Sequence, residues 1–261
     1  MKKTLLTICL VWMCFSLSAQ KIIDLSGKWS FSIDRQDNGE KEKWFSHTLN
    51  DCINLPGSMP EKLKGDEVTA KTQWTGSLYD SSYYYNPYME KYRKEGNIKF
   101  PFFLTPDKHY VGAAWYQKEV NIPADWKGER ILLFLERPHI ETTVWVNGQK
   151  TGMQNSLCVP HQYDITHYVR PGKCTITIRV DNRIKEINVG PDSHSITDQT
   201  QGNWNGIVGR ICLQTTPKTY FDDIQIYPEP EQKLARVKVV IKGTGTAKVK
   251  LSAESFNTDK K

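Results

Sequence analysis

The sequence lacks the motifs of common metal, nucleotide and serine-hydrolase sites. Its histidines form no H-E-x-x-H pair, and no two cysteines form a C-x-x-C pair. The glycines at 202–209 match neither a dinucleotide fingerprint nor a P-loop, and no G-x-S-x-G elbow occurs. No motif indicates a pair of catalytic carboxylates either. We therefore predict no metal, no cofactor and no catalytic residue in this chain.

The chain also lacks a block of basic residues and a long apolar run after residue 19. Its 35 Lys and Arg against 29 Asp and Glu give a formal net charge of +6, but the lysines alternate with acids, as in EKEKW. Mixed signs are typical of an ordinary surface, so we expect no nucleic-acid partner. No later segment is apolar enough to span a bilayer, so we expect no membrane partner.

The first 19 residues have the organisation of an export signal. Lys2 and Lys3 form a basic start, residues 4–15 are apolar but short for a membrane span, and small residues precede Gln20. We therefore predict that residues 1–19 are a signal peptide and that the protein is secreted or periplasmic.

Four cysteines follow that segment: Cys52, Cys158, Cys174 and Cys212. An exported protein permits disulfides. However, Cys174 and Cys212 occupy the apolar phase of strand-like runs. Buried free thiols and a single bridge both fit the sequence.

Short strands dominate the rest of the chain. In CTITIRVDN, residues 174–182, apolar and polar side chains alternate, and RILLFLE (130–136) is a continuous apolar run of the kind that is covered on both faces. Asn147-Gly148 predicts a hairpin turn. Further strands are predicted near 28–33, 52–55, 115–120, 210–215, 221–227, 235–242 and 247–252. This pattern, with no long amphipathic helix, predicts an all-β sandwich or jelly roll.

The sandwich is predicted to occupy residues 20–217, and residues 215–218 have the composition of a linker. After the linker, about three strands begin a second sandwich at 218–261. An immunoglobulin-like sandwich needs about seven strands, so the second one is incomplete in this sequence.

Aromatic residues provide the clearest sign of a ligand. Sugars present apolar C–H faces to aromatic rings, and their hydroxyls need polar partners. Trp204 with its flanking asparagines, and a tyrosine-rich loop from Tyr79 to Tyr92, offer both kinds of group. Each also has a structural interpretation, as a clamp and as a self-packed loop. Three other tryptophans lie on strand positions and are predicted to be core: Trp29, Trp115 and Trp145.

Seven segments in order make the chain similar to glycoside hydrolase family 2, which includes β-galactosidases, β-glucuronidases and β-mannosidases. They cover residues 22–217 almost continuously: LSGKWSF (25–31), LPGS (55–58), AWY (114–116), VWVNGQ (144–149), YDIT (163–166), IRVDN (178–182) and WNGIVGR (204–210).

The resemblance implies that this region is a galactose-binding-like jelly-roll domain that binds sugar. In the family, an immunoglobulin-like domain and then a (β/α)8 barrel with two catalytic glutamates follow it. The implied partners are a β-linked carbohydrate, the chain's own downstream barrel and a second copy in a homo-oligomer. In β-galactosidase-like members an N-x-x-aromatic-Pro asparagine and an acid before the Trp motif contact substrate. The matching candidates here are Asn97 and Asp198, joined by Asn203 and Trp204.

Three hypotheses follow. The chain is the N-terminal sugar-binding fragment of an exported β-galactosidase-like glycosidase, a stand-alone carbohydrate-binding module, or a structural sandwich. The first is preferred. We further expect the glycines around Trp204 to form a tight turn, and Arg210 to pair with an acid such as Asp181.

Overall fold

The computed structural model describes residues 20–76, 80–102, 104–185, 190, 192–243 and 245–254. The predicted signal peptide, residues 1–19, lies outside the described residues. The fold is all-β, as predicted, with two antiparallel sheets packed face to face.

The strands are numbered β1 to β15 in chain order. Their bounds are β1 Ile22–Asp24, β2 Gly27–Asp34, β3 Asp51–Leu55, β4 Gly57–Ser58, β5 Asp66–Glu67, β6 Lys108–His109, β7 Ala113–Ile122, β8 Arg130–Pro138, β9 Glu141–Val146, β10 Gln149–Asn155, β11 His161–Asp164, β12 Gly172–Asp181, β13 Gly206–Thr216, β14 Tyr220–Glu229 and β15 Leu234–Lys242.

Helical segments are short among the described residues. One α-helical turn, α1, spans Ser82–Tyr85, and four 3₁₀ segments span Trp44–Ser46, Pro87–Tyr92, Ala124–Trp126 and Pro230–Gln232. Within the described part of the chain, no helix has the length and apolar character needed to cross a membrane.

One sheet has six strands in the order β10-β9-β12-β7-β2-β3. At its centre, Ile178 of β12 lies between Tyr116 of β7 and Val144 of β9. The alternation read from the sequence therefore belongs to a central strand, which has a neighbour on both sides and can bury one complete face.

The other sheet has the order β1-β13-β8-β11, and the short strand β4 also pairs with β13. In β8, every residue from Ile131 to Leu135 is buried. The continuous apolar run at 130–136 thus marks a strand covered on both faces, as the sequence indicated.

The core between the sheets is continuous, with a smaller aromatic cluster on the outer side of the six-stranded sheet. Trp29, Trp115 and Trp145 are all buried, as predicted. The Trp29 indole donates to the Leu25 carbonyl oxygen at 2.8 Å. All three indoles pack in the hydrophobic clusters. The indole N–H groups of Trp29 and Trp115 also find hydrogen-bond acceptors within the fold.

The predicted turn at Asn147-Gly148 joins β9 to β10. Both residues have positive φ, 50° and 78°, which is the requirement of a two-residue hairpin turn. Asn147 also bonds β12, because its carboxamide oxygen accepts from the Thr175 N–H at 2.9 Å.

Residues 220–242 form a separate two-stranded hairpin, β14–β15. The predicted linker is shorter than expected, since Thr215 and Thr216 still belong to β13. The predicted strand at 247–252 is wrong, because these residues pair with neither strand of the hairpin. Alternation is not sufficient for a strand where no ladder partner lies alongside.

All four described cysteines are free thiols. Cys174 and Cys212 are buried, and Cys52 and Cys158 are exposed. Burial raises the pKa of the Cys174 thiol to about 11. The interpretation as free thiols is correct, and the single bridge is absent among these cysteines.

Candidate functional site

A packed insertion leaves the sandwich between β4 and β7. The β5–β6 pair closes its base, where Asp66 lies opposite His109. Inside, the Trp74 ring lies 4.8 Å from Phe100 and 4.6 Å from His109, both edge to face. These contacts form a small aromatic core among the described residues of the segment that interrupts the strand pattern.

The tyrosine-rich loop divides into a buried and an exposed part. Tyr83 is buried, packs against Phe100 at 4.8 Å, and its backbone oxygen accepts from the Arg93 guanidinium. Tyr84, Tyr85 and Tyr88 are 53%, 73% and 83% exposed. Tyr79 lies outside the described residues. Self-packing therefore accounts for Tyr83, and three tyrosines face solvent.

Asp198 fastens the insertion to the loop that carries Trp204. One of its carboxylate oxygens accepts from the Thr75 N–H at 2.7 Å and lies 3.2 Å from the His109 ring. The other accepts from the Asn203 N–H at 2.8 Å. The Asp198 side chain is only 3% exposed. Asp198 thus acts as a brace inside this chain.

The two asparagines around Trp204 also point into the fold. The Asn203 amide donates to Thr75 Oγ1 at 2.8 Å and to the Asn182 carbonyl at 3.0 Å. The Asn205 amide donates to the Val180 carbonyl at 3.0 Å, and its oxygen accepts from the Tyr116 hydroxyl at 2.7 Å. These bonds hold the turn against the end of β12, so the backbone on both sides of Trp204 is fixed in position.

Trp204 itself is partly buried and borders an open cavity. Its ring stacks on His139 with centroids 4.6 Å apart and planes 20° apart. Burial lowers the pKa of His139 to about 4, although the Asn203 side chain and the Asp198 charge oppose that fall. His139 is therefore a neutral ring beneath the indole at ordinary pH.

Asn97 lies elsewhere on the insertion. It is exposed, and its amide donates to the Lys91 carbonyl at 2.8 Å. Its neighbours Gly96 and Ile98 line a cavity that shares no described lining residue with the cavity at Trp204. Within the described residues, the structure brings Asp198, Asn203 and Trp204 together and leaves Asn97 apart.

Glycine permits the turn that follows Trp204. Gly206 has φ +145°, and a Cβ there would lie 2.5 Å from the Gly57 carbonyl oxygen. β13 therefore approaches β4 more closely than any larger residue allows. Gly209, with φ +79°, lets the Arg210 N–H donate to Glu136 at 2.9 Å.

The predicted pair of Arg210 with Asp181 is wrong. Arg210 lies over the Phe134 ring at 4.6 Å, on the five-stranded sheet. Asp181 is in the six-stranded sheet, where Arg179 and Arg183 contact it at 3.0 and 2.6 Å. These cations hold the pKa of the Asp181 carboxyl well below its usual range, against the effect of burial. Arg179 and Arg183 each lie two residues from Asp181 in R-V-D-N-R, and residues two apart on a strand share a face. This spacing is the sequence pattern that could have predicted the observed ion pairs.

Sequence reasoning missed Thr75, His109 and His139. Thr75 and His109 are 123 and 89 residues from Asp198, so no local pattern links them. His139 precedes β9 in no recognisable motif. The return of the insertion to the sandwich brings Thr75 and His109 to Asp198. The connection between β8 and β9 places His139 against Trp204.

A family profile described as "Glycosyl hydrolases family 2, sugar binding domain" matches residues 22–217. The chain is 24% identical to a β-glucuronidase of Pongo abelii in an alignment of 266 positions that covers 91% of this chain and 35% of that protein. It is also 24% identical to a β-glucuronidase of Paenibacillus borealis, with 79% of this chain and 31% of that protein covered. The chain thus spans about a third of the length of the relatives it matches.

Solved structures share the fold. A β-glucuronidase from an uncultured Clostridium species superposes with a TM-score of 0.57 at 20% identity, covering 86% of this chain and 34% of that one. A Ruminococcus gnavus β-glucuronidase in complex with D-glucuronic acid gives 0.57 at 18% identity with the same coverage. At such identities the likeness shows the fold alone.

Proposed function

The chain belongs to the family 2 glycosyl hydrolases through their sugar-binding domain, and from that premise we propose that it is the N-terminal part of an exported enzyme that hydrolyses β-linked glycosides. The observation that carries the proposal is the match over residues 22–217 in a chain that spans about a third of its relatives. The first 19 residues provide the export signal in this proposal.

In this proposal, the sandwich supplies one wall of the sugar pocket. The Asp198 brace joins the insertion to the Trp204 loop, so both reach the pocket as one rigid unit. The Asp198 carboxylate accepts from protein N–H groups, so it acts here by holding Trp204 and Asn203 in place. Catalysis falls to the two glutamates of the barrel, which the family resemblance places downstream.

The β14–β15 hairpin is, on the same proposal, the beginning of the second sandwich. Ile224 and Ile226 on one face of it are 52% and 65% exposed. Apolar side chains that alternate along a strand usually face another sheet. The remaining strands of that sandwich would cover them.

The sequence resemblance and the named relatives favour different sugars as the substrate. The resemblance in the sequence favours a β-galactosidase-like enzyme, and the relatives named above are β-glucuronidases. Both substrate classes therefore belong in the test.

The test compares this chain with the product of the complete gene. We expect no nitrophenol release from aryl β-galactoside or aryl β-glucuronide with the purified chain, and release from one of them with the complete product. A gene that ends at codon 261 with no barrel would overturn the proposal. Tight oligosaccharide binding by the chain alone would then support a stand-alone binding module.

A further inference from the structure

The cavity beside Trp204 is lined by residues from several segments of the chain. It has a volume of about 520 Å³, within the range of about 300–1,000 Å³ that small-molecule sites occupy. Residues from four segments of the chain meet around it: His139, Leu157, Cys158, Ser193, His194, Ser195, Gln201, Gly202 and Trp204.

The indole of Trp204 is a fixed surface in that wall. His139, which is 5% exposed, covers one of its faces, and the backbone on both sides is held by the bonds of Asn203 and Asn205. A ring supported in this way loses little conformational freedom when a ligand packs against its accessible surface.

The polar side chains of the wall carry hydroxyl, amide, imidazole and thiol groups. The described lining offers the hydroxyls of Ser193 and Ser195, the amide of Gln201 and the imidazole of His194, and it includes no Lys, Arg, Asp or Glu. Hydroxyls and amides both donate and accept, as a sugar hydroxyl does. A carboxylate in this cavity would lose hydration without gaining a Lys or Arg partner among the described lining residues.

We infer that the Trp204 cavity binds one pyranose ring of an uncharged glycoside, with a C–H face of the sugar on the indole. This inference rests on the proposed function for the class of ligand, and it deepens that proposal by choosing a neutral sugar over a uronate. His139 is a positioning residue, because it contacts the indole from below and fixes its orientation.

The test follows the indole N–H signals of the ¹⁵N-labelled chain by NMR during titration with methyl β-D-galactopyranoside, methyl β-D-glucopyranoside or methyl β-D-glucuronopyranoside. A Trp204→Phe variant assigns the signal of Trp204. We expect a saturable shift of that signal with at least one neutral glycoside and a smaller response to the glucuronide. No saturable shift with either neutral sugar, or tighter binding of the glucuronide, overturns the inference.

Variants separate stacking from general stability. Trp204→Ala is expected to weaken binding of the neutral glycoside about tenfold. Trp44→Phe, a partly buried tryptophan whose indole bonds Glu42, is the matched control and should leave binding unchanged. Equal losses in both variants contradict a site at Trp204.

His139→Phe keeps a neutral ring under the indole, and His139→Ala removes it. We expect the Phe variant to retain binding within about twofold and the Ala variant to lose about fivefold. Loss of binding in a folded Phe variant contradicts the positioning role. If His139→Ala does not fold, the Phe variant alone decides the question.

The outcome is separable from that of the proposed function. Binding at Trp204 without a downstream barrel in the gene supports this inference and refutes the enzyme. Hydrolysis by the complete product without any response at Trp204 supports the enzyme and refutes this site.

Discussion

The sandwich and the β14–β15 hairpin are built from the same kind of strand but differ in how far their apolar side chains are buried. Ile178 in β12 is fully buried between two sheets, whereas Ile226 in β14 is 65% exposed. Both strands have antiparallel ladders and alternating apolar residues. A ladder therefore gives a strand its hydrogen bonds, and only a second layer gives it a hydrophobic core.

The same substitution, isoleucine to alanine, should have very different effects in the two regions. Ile178→Ala should cost about 2–5 kcal/mol of unfolding free energy, because it opens a cavity in a packed core. Ile226→Ala should change it by less than about 0.5 kcal/mol. Urea unfolding measures both. Similar losses would mean that the hairpin is covered in solution.

The brace at Asp198 extends the comparison to the insertion. Asp198→Ala leaves the buried Asn203 N–H and the partly buried Thr75 N–H without their acceptor, so we expect a loss of about 2–3 kcal/mol of unfolding free energy. Limited proteolysis should also cut the insertion sooner. Asp107→Ala, which removes an exposed carboxylate of the same insertion, is the control. An unchanged cleavage rate in Asp198→Ala would show that the insertion is held by its own aromatic core.

Acid should weaken the sandwich through His161. The buried His161 ring hydrogen-bonds the Thr142 hydroxyl, which also hydrogen-bonds the Tyr163 hydroxyl. Burial lowers the pKa of His161 to about 4. The unfolded chain therefore binds a proton between about pH 6.5 and pH 4 that the folded chain excludes. The stability that the neutral ring contributes is present above about pH 6.5 and is lost as the pH falls through this window.

His161→Asn removes that titration. We expect the unfolding free energy of the unmodified protein to fall about 1–3 kcal/mol more than that of the variant between about pH 6.5 and pH 4. His167→Asn, at an exposed histidine, should follow the unmodified protein. Parallel pH profiles for all three proteins would assign the acid sensitivity to other groups.

Sequence patterns predicted what depends on near neighbours. The alternation in β12, the apolar run of β8 and the Asn147-Gly148 turn each follow from residues a few positions apart. The sandwich could therefore be inferred before its topology was known.

The polar contacts of the candidate site depend on distant pairs. Asp198 meets Thr75 and His109 only because the insertion returns to the sandwich, and Arg210 misses Asp181 because the two belong to different sheets. Periodicity along one strand carries no information about such pairs. The strand predicted at 247–252 failed for a related reason, since its pattern says nothing about a ladder partner.

We propose that residues 20–217 form a complete sugar-binding domain and that the hairpin belongs to the next one. Urea unfolding of a chain ending at Pro217, compared with the chain of 261 residues, tests it most directly. Truncation at Pro217 removes Tyr220, on which the Arg130 guanidinium of the sandwich packs. The loss of such a contact costs about 1 kcal/mol at most on an exposed surface. We therefore predict that the two unfolding free energies differ by no more than about 1 kcal/mol. A fall of several kcal/mol would contradict the claim and make the hairpin part of the first domain's core.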